Sequence, residues 1–168
     1  MGLRKWIMVI LVIVLMSGCA APEELETVSD VYVEEIHAAG EIVLSLPDDA
    51  GEEAICADPT GTLYVCENYT ITLQTLPGGD LQRTLKTVTG YEADRLTVLQ
   101  TYRNDLDSFR TVWTSAGESG DQLGQAEILS DGNYHYVLSV MAQADLAEEL
   151  RETWQALFDS FEVSYTAP

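Results

Sequence analysis

Apolar residues along this chain recur with two different periods, and the change of period separates predicted strands from predicted helices. Short apolar and β-branched runs bounded by turn residues predict strands at residues 41–46, 54–57, 62–67, 69–76, 96–102, 109–115, 122–129 and 134–141. The closing "FEVSYT" adds a short last strand. Because tight turns join successive strands, we expect their pairing to be mainly antiparallel.

Two segments have helical spacing instead. Asp80 is a predicted N-cap for a helix that extends to residue 88, and Gly90 follows its end. Asp145 is the predicted N-cap of a second helix, with Glu148 three residues further on. Its apolar positions are Leu146, Leu150, Trp154, Leu157, Phe158 and Phe161. Helices at both ends of the main run of strands predict an α+β fold, a mainly antiparallel sheet sandwiched between helices.

The N-terminus has the pattern of an export signal. Arg4 and Lys5 precede eleven apolar residues, fewer than the ~20 that span a bilayer. The run ends at Met16-Ser17-Gly18-Cys19, which resembles the lipobox of bacterial lipoproteins, with Met16 where that family usually has Leu. The resemblance implies that residues 1–18 are removed and that Cys19 carries the lipid. An ordinary secretory signal, or an uncleaved anchor with Cys19 free, is the alternative.

This interpretation places the protein on the outer side of the cell membrane, held there by the lipid on Cys19. After residue 18 the chain keeps 28 acidic and six basic residues, a formal charge of −22. Such a charge argues against binding nucleic acid or anionic lipid headgroups, whereas a cationic peptide, a glycan or a metal ion remains compatible. The expected partner is an envelope protein or a small ligand. Residues 19–40 contain six acidic and no basic residues, which predicts an acidic tether before a domain at residues 41–168.

Two cysteines remain if Cys19 is acylated. An even pair in an exported chain suggests a structural disulfide between Cys56 and Cys66 across the turn residues "DPTG". With residues 59–61 as the loop, Cys56 would face Tyr64 rather than Cys66, so the bond requires a bulge or a wider loop.

The segment "GDQLGQAEILSDGNYHYVLSVMAQADLAEELRETWQALFDSFEV" resembles the C-terminal half of PsbP-like domains. The family pattern is a strand, a tight turn (Asp131-Gly132 here), a second strand, a long helix and a short strand that begins near Phe161. This resemblance implies an antiparallel sheet between helices. It also implies binding or accessory roles, because the family has no shared catalytic set to carry over.

Catalytic and metal-binding chemistry is weakly supported. His135 lies on a predicted strand without a nucleophile motif nearby, so we predict neither a catalytic site nor a cofactor. Calcium would need six to eight oxygens at defined spacing, which the acidic groups do not show. We therefore interpret these groups as solvated turns: Asp48, Asp49, Glu52 and Glu53; Asp105 and Asp107; Glu118 and Asp121.

The candidate binding residues are Trp113, Tyr102, Arg103, Arg110 and His135. An exposed Trp113 beside these cations would suit contact with a protein or glycan, whereas a buried Trp113 would be a core residue. Three functions remain open. They are a non-catalytic binding or accessory module of the cell envelope, a structural envelope lipoprotein without a specific ligand, and a hydrolase or transferase built on His135.

Overall fold

The computed structural model describes residues 38–51, 54, 55, 61–117 and 120–165, with the backbone alone for residues 54 and 55. Within them lie nine strands: β1 (Glu41–Val43), β2 (Ala54–Ile55), β3 (Gly61–Val65), β4 (Tyr69–Pro77), β5 (Val98–Arg103), β6 (Leu106–Gly117), β7 (Gly120–Ser130), β8 (Tyr134–Gln143) and β9 (Glu162–Ser164). The two α-helices are α1 (Leu81–Thr89) and α2 (Ala147–Ser160), and short 3-10 turns lie at Ala93–Arg95 and Ala144–Leu146.

Seven strands form one antiparallel sheet in the order β2-β3-β4-β8-β7-β6-β5. The first and last strands, β1 and β9, pair with each other in a separate two-stranded antiparallel sheet. Within the large sheet, β4 and β8 are neighbours although α1 and three strands separate them in sequence. The predicted mainly antiparallel α+β fold is confirmed.

Helix α1 has the ends that its sequence predicts. The Asp80 side chain accepts a hydrogen bond from Arg83 N at 3.0 Å, which satisfies one of the amides that a helix leaves free in its first turn. Gly90 follows the helix at φ 77°, the left-handed conformation that favours glycine, and its N–H donates to Lys86 O.

Helix α2 begins differently from the prediction. Asp145 lies inside the 3-10 turn Ala144–Leu146, so it does not stand before the first helical turn, and the residue at the N-cap position is Leu146, without a side-chain capping bond. The predicted Asp145 cap is therefore wrong. The predicted apolar face is confirmed, because Trp154, Leu157 and Phe158 are buried.

The two helices cover opposite faces of the sheet, each over its own apolar cluster. On the α1 face, Leu85 packs with Ile128 and Val137. The larger cluster on the α2 face includes Ile71, Leu129, Tyr136, Leu138, Val140, Trp154, Leu157, Phe158 and Phe161. Both clusters form because alternate residues of each central strand point to opposite faces, and both faces are buried there.

Two hairpin turns differ from the sequence-based expectation. Strand β5 ends one residue later than predicted and β6 begins three residues earlier, so the two residues Asn104 and Asp105, at φ 50° and 64°, form the whole connection. Two successive left-handed residues are the geometry of a tight hairpin turn, which Asn and Asp tolerate better than most residues. Between β7 and β8 the connection has three residues, 131 to 133, rather than the two predicted.

Asp131, in the turn between β7 and β8, connects this turn by hydrogen bonds to both ends of the described chain. Its Oδ1 accepts from Tyr134 N and Asn133 N at 2.7 and 2.9 Å, and its Oδ2 accepts from the hydroxyls of Tyr136 and Tyr165 at 2.8 and 3.0 Å. The Tyr136 oxygen in turn accepts from Gly40 N at 2.8 Å. Burial alone would raise the pKa of Asp131, but these hydrogen bonds outweigh it and lower that pKa below its ordinary value.

We expect Asp131→Asn to change how stability depends on pH. A carboxylate with a lowered pKa in the folded state stabilises it above the ordinary Asp pKa of about 4, and this contribution is lost as pH falls through the lower folded value. The free energy of unfolding, measured by urea titration, should therefore differ most between wild type and variant near pH 7. The difference should shrink below about pH 4.

The exposed Asp94→Asn serves as the matched control, and it should change stability little at any pH. A difference between wild type and Asp131→Asn that stays constant from pH 7 to pH 3 would contradict this role of the Asp131 carboxylate.

Candidate functional site

The sheet separates the five candidate binding residues between its two faces. Alternation along paired strands β5 and β6 places Arg103 and Arg110 on the α2 face, and it places Tyr102 and Trp113 on the α1 face. The predicted cluster of tryptophan, tyrosine and arginines is therefore not brought together. Tyr102 is 69% exposed, beside Asp107 in the strand register.

Trp113 is a core residue, which was the alternative to an exposed binding residue in the sequence analysis. It is 6% exposed, and its ring lies against the backbone of Gly124, the paired residue on β7. A Cβ at position 124 would overlap Cε2 of Trp113, so only glycine fits below this indole. A shallow groove of about 400 Å³ passes its edge, where the Tyr91 hydroxyl donates to Thr114 O at 2.7 Å.

His135 lies in the core rather than at an accessible surface. It is 3% exposed, and its Nδ1 lies 2.7 Å from the hydroxyl oxygen of Thr84 on α1. Desolvation lowers the pKa of His135 below its ordinary value, although the charges of Asp131 and Asp80 oppose the shift. This distance is that of a nucleophile–base pair, but Thr84 and His135 are both 3% exposed, and no carboxylate among the described residues hydrogen-bonds the imidazole. We therefore interpret the pair as a packing arrangement.

The most unusual group on the α2 face is Glu127, which is charged and completely buried. Its Oε2 lies 2.9 Å from Arg110 Nη2, its Oε1 lies 3.6 Å from Arg103 Nη1, and Ser108 Oγ donates to Oε1 at 2.8 Å. Arg103 also donates to Phe158 O and Asp159 O at 2.7 and 2.6 Å, at the C-terminal end of α2. One carboxylate thus connects β5, β6 and β7, and Arg103 extends the connection to the helix.

A groove of about 450 Å³ lies next to this carboxylate, between α2 and the open part of the sheet. We name it the arginine groove. Arg110, Val112, Leu123 and Gln125 line it from the sheet, and Ala147, Glu148, Arg151, Trp154, Gln155, Phe158 and Asp159 line it from α2. Its rim is open, because Val112 is 53% exposed and the Arg151 side chain is 68% exposed.

Three buried side-chain atoms beside this groove lack a hydrogen-bond partner in the part of the chain that the structure describes. They are Arg110 Nε, Trp154 Nε1 and Glu127 Oε2, and Oε2 lies 2.9 Å from Nη2 of the same Arg110 guanidinium. Trp154 is 3% exposed, so water does not readily supply the missing bond. A buried donor without an acceptor costs about 1–3 kcal/mol, and such groups are rare enough in proteins to need an explanation. Arg110 Nε and Glu127 Oε2 belong to one ion pair, so the Trp154 indole N–H is the member of this set that no ion pair accounts for.

Two acidic residues that were weighed as calcium ligands, Asp49 and Asp105, have structural roles instead. Asp49 accepts from the Tyr69 hydroxyl at 3.2 Å and from Glu67 N at 3.5 Å, while Asp105 belongs to the β5–β6 turn. Glu52, Glu53 and Glu118 lie outside the described residues. Within those residues, no group of three or more His, Cys, Asp or Glu side chains is placed to hold a metal ion. None of the described helices is long and apolar enough to cross a membrane.

Cys66 is the one cysteine that the structure describes, and its thiol is free and buried. Burial raises the pKa of the Cys66 thiol, against the smaller opposing effect of a hydrogen bond with Tyr69. Cys56 and Cys19 lie outside the described residues, so the disulfide and the lipidation stay predictions. Ile55 is paired with Thr62, four residues before Cys66, and this register offers the disulfide no support.

Sequence reasoning missed Glu127 and the unpaired indole N–H of Trp154. The sequence did contain a signal for a buried Glu127. It is an acid inside the apolar strand segment "AEIL", two residues before Leu129, so both side chains point to the same face of the strand. The unpaired donors had no sequence signal. They depend on which side chains α2 and the sheet bring together.

Comparisons with known proteins establish the fold. No protein-family model and no curated protein sequence matches this chain. The solution structure of cyanobacterial PsbP (CyanoP) from Synechocystis sp. PCC 6803 matches with a TM-score of 0.56 at 10% identity, over 73% of this chain and 86% of that one. The Saccharomyces cerevisiae Ran-binding protein Mog1p matches with a TM-score of 0.51 at 12% identity, over 73% and 89%.

A protein from Bacteroides thetaiotaomicron VPI-5482 also matches, with a TM-score of 0.51 at 13% identity, over 74% of this chain and 45% of that one. The structural likeness to CyanoP and Mog1p extends well beyond the segment that suggested the resemblance. The predicted PsbP-like fold is confirmed.

We expect Glu127→Ala to destabilise the fold by about 3 kcal/mol, because breaking a buried pair leaves the charges of Arg103 and Arg110 without their shared carboxylate. Urea unfolding followed by tryptophan fluorescence measures the change. Glu149→Ala, an exposed position on α2, is the matched control and should cost well under 1 kcal/mol. Equal losses in the two variants would show that the Glu127 network contributes nothing particular.

Proposed function

We propose that this protein is a non-catalytic binding module, anchored by a lipid on Cys19 to the outer side of the cell membrane, with the arginine groove as its ligand site. The observation that carries the proposal is the groove itself, about 450 Å³ between α2 and the sheet, which apolar side chains and two arginines, Arg110 and Arg151, line together. Ligand sites typically combine apolar walls with a few convergent polar groups, and this groove has both.

The distribution of charge supports the same groove. Only six basic residues follow the predicted signal segment, and two of them, Arg110 and Arg151, line the groove. A third, Arg103, shares the Glu127 carboxylate with Arg110. Glu127, Glu148 and Asp159 offset these arginines, so the groove is close to neutral on a chain with 28 acidic residues, which suits an uncharged ligand.

The fold supports a binding role more than a catalytic one. Mog1p, which shares the PsbP-like fold, is a Ran-binding protein. His135, the only histidine in the described residues, is buried against Thr84 and does not open to the arginine groove. The hydrolase hypothesis built on His135 therefore has no accessible imidazole at this site.

Anchoring is tested by Cys19→Ala in a bacterial host that processes lipoproteins. We expect the wild-type chain to fractionate with membranes, to be degraded by protease added to spheroplasts, and to carry a diacylglyceryl mass on its N-terminal peptide. The variant should lose the lipid mass. The Cys66→Ala chain is the control, and it should keep the lipid. Identical N-terminal peptides from wild type and Cys19→Ala would contradict the anchor.

Binding is tested by filling the groove. The full-length lipoprotein in phosphatidylcholine nanodiscs is screened by thermal shift against short peptides, amino acids, sugars and short-chain acids. Any ligand that binds the folded state raises its Tm. We expect such a shift for wild type and for Gln100→Trp, an exposed β5 position, but not for Gln155→Trp, which fills the groove.

Shifts that persist unchanged in Gln155→Trp would place the ligand elsewhere. A screen in which no compound raises the Tm of wild type would contradict a binding module of this kind and favour a structural envelope lipoprotein without a specific ligand.

A further inference from the structure

We infer that the outer edge of β5 is an interface at which a second copy of this chain adds its own β5, antiparallel, so that the sheet continues across a two-fold axis. This inference goes beyond the proposed ligand site and does not depend on it. It follows from the unprotected edge of β5, from the fit of β5 against itself, and from the balance of charge at this end of the sheet.

Strand β5 ends the seven-stranded sheet, and among the described residues it pairs with β6 alone. Natural sheets protect such an edge with a very short strand, a bulge, a proline or a charged side chain. At the other end of the sheet, β2 is only two residues long. Strand β5 has six residues, VLQTYR, in continuous register with β6, and its one charged side chain, Arg103, is engaged by Glu127. Its outer edge therefore lacks these protections.

Four consecutive residues of this edge strand are exposed, and two of them are large and apolar. Leu99 is 60% exposed and Tyr102 is 69% exposed, with exposed Gln100 and Thr101 between them. A strand with unpaired backbone groups and such side chains is a template for pairing with another strand.

The β5–β6 turn fixes which backbone groups of β5 face outward. Because Asn104 and Asp105 form a two-residue turn, Arg103 and Leu106 are the hydrogen-bonded pair that closes the hairpin, and bonded pairs recur at every second residue. The residues whose N–H and C=O groups point away from β6 are Val98, Gln100 and Tyr102.

One antiparallel register pairs all of these outward groups. It places Gln100 opposite Gln100 of the second copy, on the axis, and Val98 opposite Tyr102, so that each pair exchanges its hydrogen bonds. A β-branched residue opposite an aromatic one is a favourable cross-strand pair. Leu99 then lies opposite Thr101, and no like charges face each other. A shift by two residues in either direction leaves outward groups without a strand partner.

The charge at this end of the sheet is low enough for two copies to meet. The 3-10 turn before β5, β5 itself, the β5–β6 turn and β6 contain three of the six basic residues that follow the predicted signal segment. With the buried Glu127 included, these arginines oppose four acids, a local charge of −1 on a chain of −22. The arginines are Arg95, Arg103 and Arg110, and the other acids are Asp94, Asp105 and Asp107. Two copies therefore approach here with little repulsion, whereas a strongly charged peptide gains little attraction.

The same register also brings opposite charges together at both ends of the paired strands. Arg95 is exposed and lines a groove with Val112 and Thr114, beside the part of β6 that extends past the start of β5. The β5–β6 turn of the second copy, with exposed Asp105, extends towards this level of the sheet. This complementarity, repeated by the two-fold axis, selects a second copy as the occupant. Because the added strand is short, we expect a weak dimer that forms where copies are concentrated.

Disulfide crosslinking in intact cells of a bacterial host that exports the full-length chain tests this interface. The background is Cys56→Ala, in which the remaining Cys66 is buried. Residues of a hydrogen-bonded antiparallel pair have Cα atoms about 5.5 Å apart, which suits a disulfide. With copper phenanthroline as oxidant, we expect Gln100→Cys to form at least about tenfold more homodimer than Glu149→Cys, because position 100 faces itself across the axis. Glu149, exposed on α2, is the matched control.

The register is tested by two further cysteines that face each other only between copies. Val98→Cys and Tyr102→Cys should each give little homodimer alone and should form a heterodimer when both chains are expressed together. Adding Gln100→Lys to both chains places two cations opposite each other and should reduce this heterodimer to the level of the single variants. Gln100→Thr, at the same exposed position, should keep it.

Three results would overturn the inference. Equal homodimer yields from Gln100→Cys and Glu149→Cys would show random collision rather than an interface. Crosslinking of Gln100→Cys only to a different host protein would assign the edge to a foreign strand and not to a second copy. A homodimer that forms best through Thr101→Cys would overturn the register with Gln100 on the axis.

Discussion

The buried carboxylate of Glu127 is the constraint on which the α2 side of this protein depends. A completely buried charge is tolerated only when it is paired and hydrogen-bonded, and Glu127 obtains its partners from two neighbouring strands, through Arg103, Arg110 and Ser108. Arg103 then donates to the last carbonyls of α2. The position of the helix end over the sheet and the orientation of Arg110 therefore follow from one interaction.

The groove is a consequence of this arrangement. Because Glu127 engages Arg110 through Nη2, the guanidinium is held at the wall of the groove that faces α2. Helix α2 contributes Trp154 from the opposite wall, and the outer part of the sheet stays uncovered at Val112. A rigid site next to a charged core network suits recognition of a small polar group, since its donors are already oriented before the ligand arrives.

The fold was predictable from the sequence where local signals decide it. The ends of α1 follow from Asp80 and Gly90, the strands follow from apolar runs between turns, and the C-terminal pattern indicated the PsbP-like fold. The candidate site was predictable only in part. Arg103 and Arg110 were identified, but the unpaired N–H of Trp154 depends on how α2 packs over the sheet, and a residue's periodicity does not determine that packing.

The indole resonances of Trp113 and Trp154 test this site most directly. In ¹H–¹⁵N spectra of the lipoprotein in nanodiscs, we expect a compound that raises the Tm in the screen to shift the Trp154 Nε1–H resonance, because Trp154 lines the arginine groove. The Trp113 indole, against Gly124 on the other face, should not move. A stationary Trp154 resonance, or a shift of Trp113 alone, would show that the arginine groove is not the ligand site.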